Sequence, residues 1–396
     1  MRRANPRKLL RTVILAALVL GAAMILPHRL AWHLNGRRLV VPSSVSLPKA
    51  ALPFVTEAGS AQVEVAGGPV LYAHNPNIER PIASTTKIMT AYLVLHTPSM
   101  PLQRVVTITP VEVDNDRRGV LKADSEVPLA VGQRVTVNDL LWALMLPSAD
   151  DSAWVLARTV SGNPNTFVSL MNRTAQKLDM RRTHYVDPDG VNHAGYSTAR
   201  DLLKLTAVAM QDPEFRHLVG TAQHTTTSFG TLVNLNQLLG NYPGAIGVKT
   251  GWTPWAGSCL VFADQRKLYH RSITLYGVVL GEPSFNPMFS DVKRLLNTAF
   301  SLPYHTVVKA KSVVARQTIG GFGAPKVLTF SVKSSLGAFA TGGHADIQWQ
   351  WLSKTSWTKG EVVGMCRVTQ TGWKNAGPWV PILADQNYKV PWWGSF

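Results

Sequence analysis

Apolar residues along this chain recur at two different spacings, and the spacing changes from region to region. Ala61–Val65 and Val70–Ala73 flank Ala66-Gly67-Gly68-Pro69, which predicts a β-hairpin. From Ser84 onward, Ile88, Met89, Tyr92, Leu93 and Leu95 fall at helical spacing. Helical patterns then dominate to about residue 240, with helices expected over Asp139–Leu146, Ser152–Val160, Asn165–Leu178 and Thr198–Met210. The last opens on Thr198-x-x-Asp201, a start signal. Gly257–Ala263 and Ser272–Leu280 are continuous apolar runs that predict strands, and Phe289–Phe300 predicts a closing helix. After Pro303, short Val/Thr-rich runs alternate with Gly, Lys and Trp, the texture of a small all-β module.

These patterns divide the 396 residues into residues 1–35, a linker over 36–52, a large domain over 53–302 and a β-rich domain over 303–396. The first segment reads as a targeting sequence. Arg2, Arg3, Arg7, Lys8 and Arg11 precede an uncharged, mostly apolar run from Thr12 to Pro27. A signal peptide or an N-terminal membrane anchor is expected there, and with it an extracytoplasmic location. Pro42, Pro48 and Pro53 among Ser and Val give the next stretch the look of an extended linker.

Charge sharpens this division. The net charge is +17, with 8 Lys/Arg and no acidic residue in 1–40, and 10 Lys/Arg against 3 acidic residues in 303–396. The 262 residues between hold 22 basic and 20 acidic side chains and are close to neutral. A nucleic-acid binder would carry its basic patch around a groove, so nucleic acid is not an expected partner. Tails and satellite domains of this sign suit anionic lipids or wall polymers. The two cysteines, Cys259 and Cys366, form no disulfide framework and are expected as free thiols; no Cys–His spacing suggests zinc, so no metal is expected.

The candidate chemistry lies in three short motifs. A serine made nucleophilic without histidine needs an amine base within hydrogen-bonding reach, and Ser-x-x-Lys on a helix places both on one face. Four such pairs occur: Ser46/Lys49, Ser84/Lys87, Ser290/Lys293 and Ser356/Lys359. Only Ser84 opens a strongly apolar helix, with Lys87 among side chains expected to be buried. Ser148-Ala149-Asp150 follows in a turn between two helices, and Lys249-Thr250-Gly251 falls on a strand. A cation beside a hydroxyl on a strand edge suits a substrate carboxylate, and the glycine lets substrate lie close to the backbone.

In their contexts these motifs resemble a known family. Pro81-Ile-Ala-Ser84-Thr-Thr-Lys87, Leu146-Pro-Ser148-Ala-Asp150 and Gly247-Val-Lys249-Thr-Gly251-Trp252 are similar, in order, to the three signatures of the serine D-alanyl-D-alanine carboxypeptidases, the low-molecular-mass penicillin-binding proteins. The resemblance implies an α+β fold (an α/β/α sandwich) with an antiparallel sheet, a helical lobe and a small all-β C-terminal domain. It implies Ser84 as nucleophile, Lys87 as base and Ser148 as proton relay. Lys249, Thr250, Gly251 and Asp150 would bind substrate, and the N–H groups of Ser84 and Trp252 would form an oxyanion hole. The implied partners are a peptidoglycan stem peptide, β-lactam antibiotics as covalent inhibitors, and the membrane through the N-terminal segment; no cofactor is implied. Asp150 departs from the family's usual Asn. It would mimic Asn as a protonated acid, pair as an ionised carboxylate with a neighbouring lysine, or point aside from the site. The alternatives are a DD-endopeptidase or transpeptidase, a class A-like β-lactamase, and a wall-binding protein with a dead site. A β-lactamase needs a loop glutamate, and residues 151–200 contain none, although Asp187 and Asp189 stand there.

Overall fold

The computed structural model describes residues 37–50, 54, 56–98, 100–113, 125–268, 271–319, 326–354, 356–373 and 376–389. The targeting segment expected over 1–35 lies outside them. The chain separates into two units, one of Ala51–Leu302 with Gly372–Lys374 and one in which Pro303–Thr371 and residues from Asn375 onward join the stretch up to Ala50.

The larger unit is built on a five-stranded antiparallel sheet of order β4-β3-β11-β10-β9. The expected hairpin is β3 (Ser60–Val65) and β4 (Val70–His74). The two apolar runs become β10 (Gly257–Leu268) and β11 (Arg271–Glu282), each longer than its apolar stretch. Ser258–Asp264 is buried throughout, as expected of a strand covered on both faces. β9 (Ala245–Thr253) pairs with β10 and is the edge strand on that side. Two two-stranded ladders, β5 (Val105–Thr107) with β6 (Arg134–Thr136) and the hairpin β7 (Gln223–Thr226) with β8 (Gly230–Val233), lie outside this sheet.

A helical lobe completes this unit. Its centre is α1 (Lys87–Leu95), with seven of nine residues buried, which packs on helices of its own lobe. After the single turn α2 (Pro110–Val113) these are α3 (Val137–Met145), α4 (Asp150–Ser161), α5 (Pro164–Lys177), α6 (Ala199–Ala209) and α7 (Pro213–Gly220). Their starts follow from local chemistry. Thr136, Asn163, Thr198 and Asp212 each accept a hydrogen bond from a backbone N–H in the first turn, and Pro164 and Pro213 occupy positions where no N–H is needed. The α7 helix is not among the helices expected above, although Asp212-Pro213 marks its start and Phe215, Leu218 and Val219 form its buried face. The closing helix α8 (Phe285–Phe300) packs on β10 and β11.

The smaller unit holds a seven-stranded sheet of order β1-β13-β14-β18-β17-β16-β2, with a separate β12–β15 ladder. Its later strands are β12 (Tyr304–Val308), β13 (Val313–Ile319), β14 (Lys326–Val332), β15 (Leu336–Phe339), β16 (His344–Trp351), β17 (Val362–Gln370) and β18 (Val380–Ala384). Here the linker reading of 36–52 gives way. Arg37–Leu39 is β1 and Ser44–Ser46 is β2, and they occupy opposite edges of this sheet. Short edge strands tolerate nearby prolines, because Pro42 and Pro48 fall outside the ladders. Arg37 adds a specific anchor: its guanidinium lies 4.6 Å from the Trp351 ring centre and 5.2 Å from that of Phe330, while Nε donates to Gln317 Oε1 at 3.1 Å. Trp357 is buried in this core with Leu328, Phe330, Val363 and Ile382, so it packs rather than presenting a surface. Cys259 and Cys366 are both free and buried, one in each unit.

Candidate active site

The chain before α1 tightens into a 3-10 turn, Ala83–Thr86, so Ser84 and Lys87 straddle the junction between that turn and the helix. Lys87 Nζ lies 2.7 Å from Ser84 Oγ. Of the four Ser-x-x-Lys pairs, this is the one for which a direct contact is found among the described residues. Lys87 is fully buried and has two further partners: Asp150 Oδ1, in a short ion pair, and the main-chain oxygen of Asp189 at 3.1 Å.

Asp150 is the first residue of α4, and Ser148 stands two residues before it in the left-handed region, at φ 69°. Both are 3% exposed. Ser148 Oγ makes no hydrogen bond to any described residue, so its donor and acceptor capacity is uncommitted. Asp150 thus meets Lys87 directly. Burial pushes its carboxyl up to about 6, with Lys87 pulling the other way and Asp189 adding to the rise. Burial outweighs the ion pair here because both partners have lost water.

Lys249, Thr250 and Gly251 lie on β9, and all three are buried. Lys249 Nζ donates to the main-chain oxygen of Thr250 at 3.2 Å. Burial, and then the charge of Lys87, hold Lys249 well below the usual lysine range, while Asp150 acts in the opposite sense. Gly251 has a steric reason to be glycine: a Cβ there would sit 2.9 Å from Ser84 N and 3.1 Å from Ala83 Cβ. β9 therefore passes against the backbone of the Ala83–Thr86 turn, which brings the strand edge to Ser84. Trp252 follows with its side chain 44% exposed.

One part of the site was not found by sequence reasoning. The turn Asp187-Pro188-Asp189-Gly190 packs against α1: Thr90 Oγ1 donates to Pro188 O at 2.6 Å, and Lys87 to Asp189 O. Gly190 has φ 86°, and a Cβ there would meet Ala83 O at 2.0 Å. Asp-Gly marks a turn in any sequence, but nothing in the sequence says which helix the turn serves. Burial raises Asp187; burial and then Asp187 push Asp189 up to about 7.

A buried lysine in contact with a serine hydroxyl, with a strand edge alongside, can carry nucleophilic acyl transfer. Comparison with known proteins agrees. Residues 49–284 match the peptidase S11 family, described as D-alanyl-D-alanine carboxypeptidase. A D-alanyl-D-alanine carboxypeptidase of Streptomyces sp. (strain K15) is 36% identical over 266 residues, covering 63% of this chain and 89% of the relative. A D-alanyl-D-alanine endopeptidase of Pseudomonas aeruginosa is 36% identical over 224 residues, covering 54% of this chain and 70% of the relative. Among solved structures, the Streptomyces K15 DD-transpeptidase superposes with TM-score 0.58 at 36% identity, covering 63% of this chain and 98% of its own. The carboxypeptidase DacD of Francisella tularensis, 21% identical with TM-score 0.56, shares the fold over 87% of this chain. The α+β architecture is that of penicillin-binding DD-peptidases, and the chain belongs to the D-alanyl-D-alanine carboxypeptidase family of serine peptidases.

Proposed function

We propose that the protein removes the terminal D-alanine from peptidoglycan stem peptides through an acyl ester on Ser84, outside the cytoplasmic membrane. The observation that carries this reading is the 2.7 Å contact between Ser84 Oγ and the buried Lys87 Nζ, beside the Lys249-Thr250-Gly251 edge. Lys87 takes the proton of Ser84 as Oγ attacks the carbonyl of the penultimate D-Ala. The N–H groups of Ser84 and Trp252 hold the developing oxyanion. Lys249 and Thr250 bind the terminal carboxylate. Ser148, whose hydroxyl is uncommitted, passes the proton to the leaving amine, and water then releases the shortened peptide. The N-terminal apolar segment carries the chain to the membrane and holds it there or is removed. Residues 53–302 act as the catalytic domain and 303–396 as the core of the β domain.

Incubation with a peptide ending in Lys-D-Ala-D-Ala tests the reading. One equivalent of free D-alanine per peptide is expected, and none from Ser84→Ala. Cleavage of a cross-linked dimeric stem peptide, without release of terminal D-alanine from the monomer, would mark an endopeptidase instead.

A further inference from the structure

Two buried carboxylates beside the site, Asp187 and Asp189, have no part in the reaction as derived, and they stand in the region where a deacylating loop glutamate would fall in a β-lactamase. Both are turned onto their own backbone. Asp187 accepts from the N–H groups of Gly190, at 2.6 Å, and Asn192, at 2.7 Å. Asp189 Oδ1 accepts from Val191 N at 3.1 Å, and its Oδ2 from Trp154 Nε1 at 2.5 Å. With the amides drawn toward the carboxylates, the carbonyls of Pro188 and Asp189 are left facing Thr90 and Lys87.

The demand of Lys87 gives this arrangement a purpose. As a base, the amine has two N–H donors and one lone pair. The lone pair reaches Ser84 only if both N–H groups are held elsewhere, and the acceptors available are Asp150 Oδ1 and the Asp189 carbonyl. Both trace to one helix: Asp150 and Trp154 are i and i+4 on α4, hence on one face. Asp150 touches the lysine itself, and Trp154 secures the turn that supplies the second acceptor.

We propose that Asp189, tied to Trp154 and backed by Asp187, is a positioning residue for acylation: it fixes the main-chain carbonyl that aims the Lys87 amine at Ser84. The inference rests on the acyl-transfer reading above. It also gives the two carboxylates a task other than activating water, since neither oxygen of Asp189 is free of its partners.

Trp154→Phe decides the matter, because it keeps the ring and deletes only the Nε1–H donor; Asp189→Asn is its companion. The measurements are the second-order rate of Ser84 labelling by benzylpenicillin, kcat and KM on a D-Ala-D-Ala peptide, and Tm. Misdirecting a catalytic group by a fraction of an ångström to an ångström costs about 10- to 100-fold. Trp154→Phe is therefore expected to lower labelling and kcat by more than about threefold, with KM within about twofold. Both residues act through one carbonyl, so the double variant should lose little more than the worse single one. A folded Trp154→Phe protein labelled within about threefold of the wild-type rate, whatever its Tm, overturns the inference, as does a change confined to KM or losses that multiply in the double variant. If wild-type Ser84 takes no label at all, the acyl-transfer reading falls and this inference with it.

Discussion

Replacing Asp150 by asparagine removes one negative charge from contact with Lys87 and leaves size and hydrogen-bonding reach nearly unchanged. The Asp150 carboxyl titrates at about 6, raised by burial. Below that pH the wild-type side chain is neutral and resembles an amide, so the two proteins should be acylated at similar rates. Above it Asp150 carries a negative charge in contact with the amine, which disfavours the proton transfers that acylation requires. The asparagine protein has no such restraint. Two unit charges about 4 Å apart at an effective dielectric constant near 20 interact by about 4 kcal/mol, or about three decades in an equilibrium. The ratio of acylation rates, Asp150→Asn over wild type, should thus be near one at pH 5. It should climb by up to about tenfold per pH unit above 6 and reach on the order of 100-fold by pH 8, below the three-decade ceiling. Stopped-flow acylation by a chromogenic cephalosporin from pH 5 to 9 reads this directly. A ratio that stays flat across the range would refute the reasoning, as would an asparagine protein that is slower at every pH.

Two further outcomes test the surroundings of the site. Gly190→Ala should cost more than about 2 kcal/mol, because it combines a left-handed φ of 86° with a Cβ 2.0 Å from Ala83 O. Gly162→Ala, at φ 74° with open space around its Cβ, should cost only about 1 kcal/mol; equal losses in Tm by calorimetry would contradict this. A fragment of residues 51–302 should be acylated at the full-length rate, since all the site residues named above fall within it. Extending the fragment back to residue 37 should make it more prone to aggregate, because β1 and β2 would have lost their partners β13 and β16. A folded 51–302 fragment that takes no label would show that the site draws on other parts of the chain.

Local chemistry made most of this legible in advance. The Ser84/Lys87 pair stood out because an apolar helix follows it, and Lys249-Thr250-Gly251 because a strand precedes it. Thr198 was readable as a cap because capping acts over three residues. What escaped depends on long-range pairing. Arg37 and Ser44 join strands some 280 and 300 residues away, and their Pro-rich setting reads as linker until Gln317, Phe330 and Trp351 are in place around Arg37. The Asp189 carbonyl escaped for another reason: main-chain atoms carry no sequence signature, and 102 residues separate it from Lys87. Which lysine stands against Asp150 was not readable from the sequence, because the placement of α4 against α1 decides it.

The central claim is that Ser84 is the acylated nucleophile of a DD-peptidase site. Intact mass after incubation with benzylpenicillin, followed by peptide mapping, tests it most directly. One penicilloyl group per chain is expected, on the peptide that contains Ser84, persisting long enough to isolate and absent from Ser84→Ala and Lys87→Ala proteins. An adduct on Ser290 or Ser356, or an unlabelled protein that destroys penicillin rapidly, would contradict the account.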